Sequence, residues 1–158
     1  MKIVIIMGSK TDLEWAKKIE EKIKMFDVEV VLRIGSAHKV PLKVLEILDE
    51  YKNEDVVFIT VAGKSNALSG FVDANTTKPV IACPPYSDKF SGVDIFSSLR
   101  MPSGVAPLVV IEPEQAALSA IKILSLKYPE LAEKIKEYQK KMKEEIEKQD
   151  SEVKNGKR

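Results

Sequence analysis

At 158 residues, with 44% apolar and 31% charged side chains, the chain has the make-up of one globular domain able to bury a full core. Its formal net charge of +1 leaves no excess that would draw it to nucleic acid or to an anionic membrane surface. The one cysteine, Cys83, excludes an internal disulfide and any cysteine-built metal cluster.

Short apolar runs alternate with amphipathic stretches from the first residues onward. Ile3 to Met7 reads as a buried strand, too brief for a signal h-region or a membrane span. Gly8-Ser9-Lys10-Thr11-Asp12 supplies turn and capping residues. Ala16, Ile19, Ile23 and Phe26 then recur at helical spacing. Val28 to Ile34 is a second strand. Pro41 opens a second helix with Val44, Leu45, Leu48 and Tyr51 on one face. Val56 to Val61 is a third strand, followed by the Gly-bearing segment 62–70 and a helix. Pro79 to Cys83 is a fourth strand, stopped by Pro84-Pro85. A helix is expected near Val93 to Leu99, and Leu108 to Ile111 makes a fifth strand. Helices follow over Glu114 to Leu126 and from Pro129 to about Lys148. The polar tail, Asp150 to Arg158, is expected to fray.

Nearly all-apolar strands, each followed by a helix, indicate an α/β fold with a parallel sheet covered on both faces. Right-handed crossovers then give a three-layer αβα sandwich with a five-stranded parallel sheet, flavodoxin-like in plan. Residues 1–128 form the α/β body, and 129–158 form a C-terminal helix and polar tail of the same domain. Leu131, Ile135, Tyr138, Met142 and Ile146 make one stripe on that helix. The stripe fits packing on its own domain and packing on another subunit equally well.

Ligands of open parallel sheets bind beyond the carboxyl ends of the strands. Four polar segments fall there: Gly8 to Asp12, Gly35 to Lys39, Ala62 to Asn66, and the Pro84-Pro85 loop. The first and third lead into helix N-termini, whose free N–H groups favour an anion such as a phosphate. The same residues also fit plainer roles. Ser9, Thr11 and Asp12 are good helix caps, Gly63 and Gly70 are ordinary turn glycines, and Cys83 behaves as a small buried hydrophobe. No segment has the spacing of a P-loop or of GxGxxG. The lone histidine, His38, follows a strand and a glycine. Imidazole is the side chain whose ordinary titration lies nearest neutrality, which suits proton transfer. No cysteine or carboxylate partners stand at metal-ligand spacing around it, so no metal is expected. These features alone reach an α/β domain that binds a small anion.

The ordered blocks Met7-Gly8-Ser9-Lys10-Thr11-Asp12, Ser36-Ala37-His38-Lys39, Ala62-Gly63, Asn75-Thr76, Pro79-Val80-Ile81, Cys83-Pro84-Pro85 and Ser97-Ser98-Leu99-Arg100-Met101-Pro102-Ser103-Gly104 resemble the PurE family of aminoimidazole ribonucleotide (AIR) carboxylases and mutases. The likeness runs from about Lys2 to Leu126 and thins beyond. The mutase class carries Ser-Ala-His-Arg and Ala-Gly-Gly-Ala-Ala-His-Leu-Pro-Gly. Here the corresponding segments are Ser36-Ala37-His38-Lys39 and Ala62-Gly63-Lys64-Ser65-Asn66-Ala67-Leu68-Ser69-Gly70. The second family histidine is replaced by Ala67. The Lys-Ser-Asn triplet, Cys-Pro-Pro and Ser-Ser-Leu-Arg-Met-Pro-Ser-Gly are similar to the class that takes carbon dioxide directly. Ala67 and Ser69 depart from both classes.

The resemblance implies an ATP- and biotin-independent carboxylase that needs no cofactor and no metal. It acts in purine biosynthesis, in the cytoplasm, as a homo-octamer on the small molecules AIR and carbon dioxide, with neither nucleic acid nor membrane as a partner. It gives His38 the proton transfer. Ser9 and Asp12 are expected on the ribose phosphate, with Ser36 and the amides near Gly63 as further donors. Lys39, Ser65 and Asn66 are expected to steady carbon dioxide or the nascent carboxylate. Lys64 has three open roles: phosphate, a neighbouring subunit, or solvent. The rival readings are the mutase reaction and a non-catalytic nucleotide-binding module.

Overall fold

The computed structural model of the chain describes residues 1–156. Its strands β1 (Lys2–Met7), β2 (Glu29–Ile34), β3 (Val56–Val61), β4 (Val80–Ala82) and β5 (Leu108–Val109) form one parallel sheet in the order β2-β1-β3-β4-β5. The helices are α1 (Leu13–Lys24), α2 (Pro41–Glu50), α3 (Leu68–Ala74), α4 (Phe96–Leu99), α5 (Pro113–Ser125) and α6 (Pro129–Lys154), with 3-10 turns over Lys10–Asp12 and Lys89–Ile95. Strand order and parallel pairing are those of a flavodoxin-like, doubly wound sheet.

Alternation along the strands sorts the core into two layers. Ile3, Ile5 and Met7 of β1 join Val57, Ile59 and Val61 of β3 beneath α1, α5 and the start of α6. Val4, Ile6, Val56 and Phe58 face the other way, under α2 and α3. All six residues of β3 are buried, as a central strand covered on both faces requires. No helix among the described residues is long and apolar enough to cross a membrane.

Several boundaries differ from the sequence-based expectation. β5 begins at Leu108 as expected but is two residues long rather than four; Val110 N still donates to Ala82 O (3.0 Å), and the pairing stops there. The helix expected over Val93 to Leu99 is a 3-10 stretch followed by the single turn α4. α6 does not fray at Asp150 but runs to Lys154, while the last two tail residues lie outside the described range. No Gly or Pro interrupts it before Gly156, which adopts φ 73° and closes it. Pairs one turn apart, such as Lys141 with Glu137 (2.8 Å) and Gln149 with Glu145 (3.0 Å), support its exposed length. The apolar stripe of α6 divides. Leu131 and Ile135 are buried, and Tyr138 packs edge-on against Phe26 at 5.8 Å. Met142 and Ile146 remain 51% and 61% exposed.

Asp55, at the head of β3, ties the α5–α6 junction to the sheet. Its carboxylate accepts hydrogen bonds from Lys127 Nζ and Tyr128 Oη, each 2.6 Å. These bonds hold its pKa below the usual 3.8. A folded-state value below the unfolded one stabilises the protein above the ordinary carboxylate range. The gain disappears as pH falls through the folded value. Asp55→Asn is therefore expected to flatten the acid side of a plot of Tm against pH, below about pH 4. An unchanged acid slope would remove Asp55 from the account.

Candidate active site

The strand ends deliver their loops to one mouth. Gly8 N donates to Val61 O (2.9 Å) and Gly35 N to Met7 O (2.9 Å), so the ladders continue one residue past β1 and β2. The loops after β1, β2 and β3 thereby start level with one another. A cavity of about 1000 Å³ opens above them.

Seven of the eight sequence-derived candidates line this cavity. Ser9 and Asp12 come from the first loop. Ser36, His38 and Lys39 come from the second, and Gly63 and Ser65 from the third. Asn66 does not. It is 5% exposed and turns its amide away from the cavity, donating from Nδ2 to Ser98 Oγ (2.9 Å) and accepting from Ser69 N at Oδ1 (3.3 Å). The amide expected on carbon dioxide or carboxylate is here engaged by protein at both its polar ends. A buried amide satisfies its polar ends on whatever lies beside it, and here that is protein.

Each loop has a local reason for its shape. Ser9 N (3.0 Å) and Ser9 Oγ (3.4 Å) both donate to Asp12 Oδ2, while Asp12 N donates to the Ser9 carbonyl (3.2 Å), closing the 3-10 turn that leads into α1. The Asp12 carboxylate thus fastens the turn and lines the cavity at once. Burial pushes the Asp12 pKa above its usual 3.8, while the Ser9 bonds and the Lys64 charge pull it down. Lys64 also lines the cavity, with its backbone in the left-handed region at φ 58°. His38 sits in a turn closed by Val40 N donating to Ser36 O (2.9 Å), with Lys39 N donating to Ser36 Oγ (3.3 Å). The imidazole is exposed to the cavity rather than packed in the core.

Gly35 lets α2 approach the start of this turn. A Cβ there would lie 3.0 Å from Val44 Cγ2 and 3.4 Å from Ile47 Cδ1. Gly35→Ala is expected to cost about 1–3 kcal/mol through overpacking, measured by urea unfolding. A variant as stable as the parent would show that α2 gives way freely.

Residues not singled out in the sequence complete the rim: Tyr86, Ser87, Asp88, Lys89 and Phe90, from the loop after β4, and Asp94 face the cavity, joined by Ser97 from one of the blocks that carry the resemblance. Only the position of Pro84-Pro85 at a strand end pointed to this loop. Phe90, Ser91 and Gly92 are consecutive left-handed residues, which no local pattern announces. Tyr86 is held edge-on to Trp15 (centroids 4.8 Å) and donates to Glu112; that bond raises its pKa to about 12. Burial likewise pushes the Cys83 thiol up to about 12, which leaves it a poor nucleophile. No group of three or more His, Cys, Asp or Glu that could hold a metal ion occurs among the described residues.

This arrangement places a titratable imidazole, three cavity-facing lysines and helix-entry amides around one open space. It suits an anionic small molecule that must gain or lose a proton. Comparison with known proteins gives the family. Residues 2–145 match the family described as AIR carboxylase, well past Leu126, where the sequence likeness thinned. Phosphoribosylaminoimidazole carboxylase of Archaeoglobus fulgidus is 63% identical over 153 residues, covering 97% of this chain and 85% of that protein. The protein of the same name from Treponema denticola is 48% identical over 154 residues, covering 96% and 97%. The crystal structure of Treponema denticola PurE superposes with a TM-score of 0.93 at 48% identity, covering 96% of this chain and 98% of that one.

Proposed function

Because the chain belongs to the AIR carboxylase family, we propose that it carboxylates 5-aminoimidazole ribonucleotide with carbon dioxide, giving 4-carboxy-5-aminoimidazole ribonucleotide for purine synthesis. The observation that carries this reading is the sharing of one cavity by His38, the Ser9–Asp12 loop and the Gly63–Ser65 loop, with alanine at position 67.

The chemistry asks for positioning and one proton transfer. The aminoimidazole is an electron-rich enamine, so its ring carbon attacks the carbon of carbon dioxide. A C–C bond forms, and one C=O electron pair moves onto oxygen. The ring carbon then bears both hydrogen and carboxylate. Neutral His38 takes that proton, the C–H pair returns to the ring, and aromaticity is restored. The imidazolium passes its proton to solvent. In this reading Ser9 and Asp12 hold the ribose phosphate, with Ser36 and the Gly63 amide as further donors. Lys39 and Ser65 steady the developing carboxylate, an electrostatic role that is strongest where water is excluded. No ATP or biotin is required by this sequence of steps. The enzyme works in the cytoplasm as a homo-octamer. The apolar residues left exposed on α2 (Leu42) and on the far half of α6 (Met142, Ile146, Val153) support such an assembly. Residues 129–158 belong to the same domain as 1–128, a reading supported by the burial of Leu131 and Ile135 in the main core.

The rival within the family moves a carboxylate from the ring amine to the ring carbon. Ala67, in place of a second histidine, favours direct carboxylation. Purified protein given AIR and bicarbonate without ATP is expected to form product at a rate that tracks dissolved carbon dioxide. Activity confined to the N-carboxylated nucleotide would overturn this in favour of the mutase.

A further inference from the structure

Asn66 is the candidate that the cavity does not use, and its surroundings explain what else it does. Its backbone N donates to Ser97 Oγ (3.0 Å), and its side-chain Nδ2 donates to Ser98 Oγ (2.9 Å). Ser97 Oγ lies 3.0 Å from Lys64 O and 2.8 Å from Asp94 O, and its single proton serves either carbonyl. Ser69 N donates to Asn66 Oδ1 (3.3 Å). Asn66 and Ser98 are 5% and 1% exposed, so these bonds form away from bulk water. The segment so fastened includes Lys64, held at φ 58°, and Ser65, and both line the cavity. A non-glycine residue keeps a left-handed backbone only where its surroundings enforce it.

We infer that Asn66 is a positioning residue: it clips the Ser97-Ser98 turn to the loop after β3 and so holds Gly63, Lys64 and Ser65 in the shape that meets the anionic substrate. It touches no substrate atom. Both polar ends of its amide are engaged by protein, so a role as a direct ligand would require the clip to open. The inference deepens the carboxylation reading and depends on it only for the kinetic readout.

The test uses Asn66→Ala, Ser98→Ala and the double variant, with KM and kcat for AIR and calorimetric Kd for the same nucleotide. Each single change is expected to raise KM and Kd roughly tenfold, with kcat within about twofold of the parent. The double variant should be little worse than the poorer single one, because the two residues act as one unit. Ser98→Ala removes only one oxygen, so it keeps the test open if Asn66→Ala folds badly. The inference is overturned if Ser98→Ala matches the parent while Asn66→Ala loses affinity, which is the mark of a direct ligand. It is also overturned if both bind normally, or if the losses fall in kcat alone. A parent protein that binds AIR but never turns it over would refute carboxylation, and the Kd series would still decide the clip.

Discussion

His38→Asn is expected to lower the turnover of AIR by roughly 10²–10⁴-fold, the range that general acid–base catalysis contributes, while nucleotide affinity stays within severalfold. Asparagine keeps comparable bulk and polarity at the turn but cannot accept and release a proton near neutral pH. The proposed step leaves hydrogen on the ring carbon until a base removes it, and no other imidazole exists in the chain. Retention of affinity follows because Ser9, Asp12 and Gly63 come from other loops. Steady-state kinetics and calorimetry on the same preparation make the comparison. A variant with parental turnover would remove His38 from the mechanism. A parent that shows no turnover to lose would point to the non-catalytic binding module.

The largest effect on stability is expected at Phe58. It is fully buried in β3, packs in the layer under α2 and α3, and meets Tyr51 edge-on with centroids 6.4 Å apart. Phe58→Ala removes most of an aromatic side chain from a site where central-strand neighbours on both sides limit collapse. The cost is expected to be about 3–5 kcal/mol, a large share of the roughly 5–15 kcal/mol that a domain possesses. Urea unfolding should show a lower midpoint with the slope unchanged. A loss below about 1 kcal/mol would mean that α2 closes over the vacated space.

The sheet was legible because its signals are local. Five apolar runs separated by amphipathic stretches leave few arrangements once right-handed crossovers are required. β3 ends where the pattern placed it, at Val56 and Val61. β5 was overestimated because the apolar run continues through Val110 and Ile111, whereas the ladder gives out after the bond from Val110 N to Ala82 O. The left-handed residues 90–92 and the rim loop after β4 carry no periodic mark, since their shape depends on what they pack against.

Within the candidate site the same division holds. Residue type and position at a strand end drew out His38, and the family resemblance added Ser9, Asp12 and Lys39; parallel strands deliver their carboxyl ends to one edge, so all four meet there. The direction of the Asn66 side chain could not be read this way. It is decided by the Ser98 hydroxyl, 32 residues away in sequence, and by the Ser69 N–H, and a buried amide turns to whichever partner satisfies it. The amino-acid order by itself determined the layers, the parallel sheet and the set of loops that gather at its carboxyl edge. Only the tertiary structure decided that seven of the candidates share one cavity while the eighth is bonded to Ser98 beside it, and that two of the five stripe residues on α6 stay exposed. Hydrophobic period and turn chemistry act between near neighbours, whereas the pairing of buried polar groups and the covering of a helix face depend on which distant segments arrive beside them.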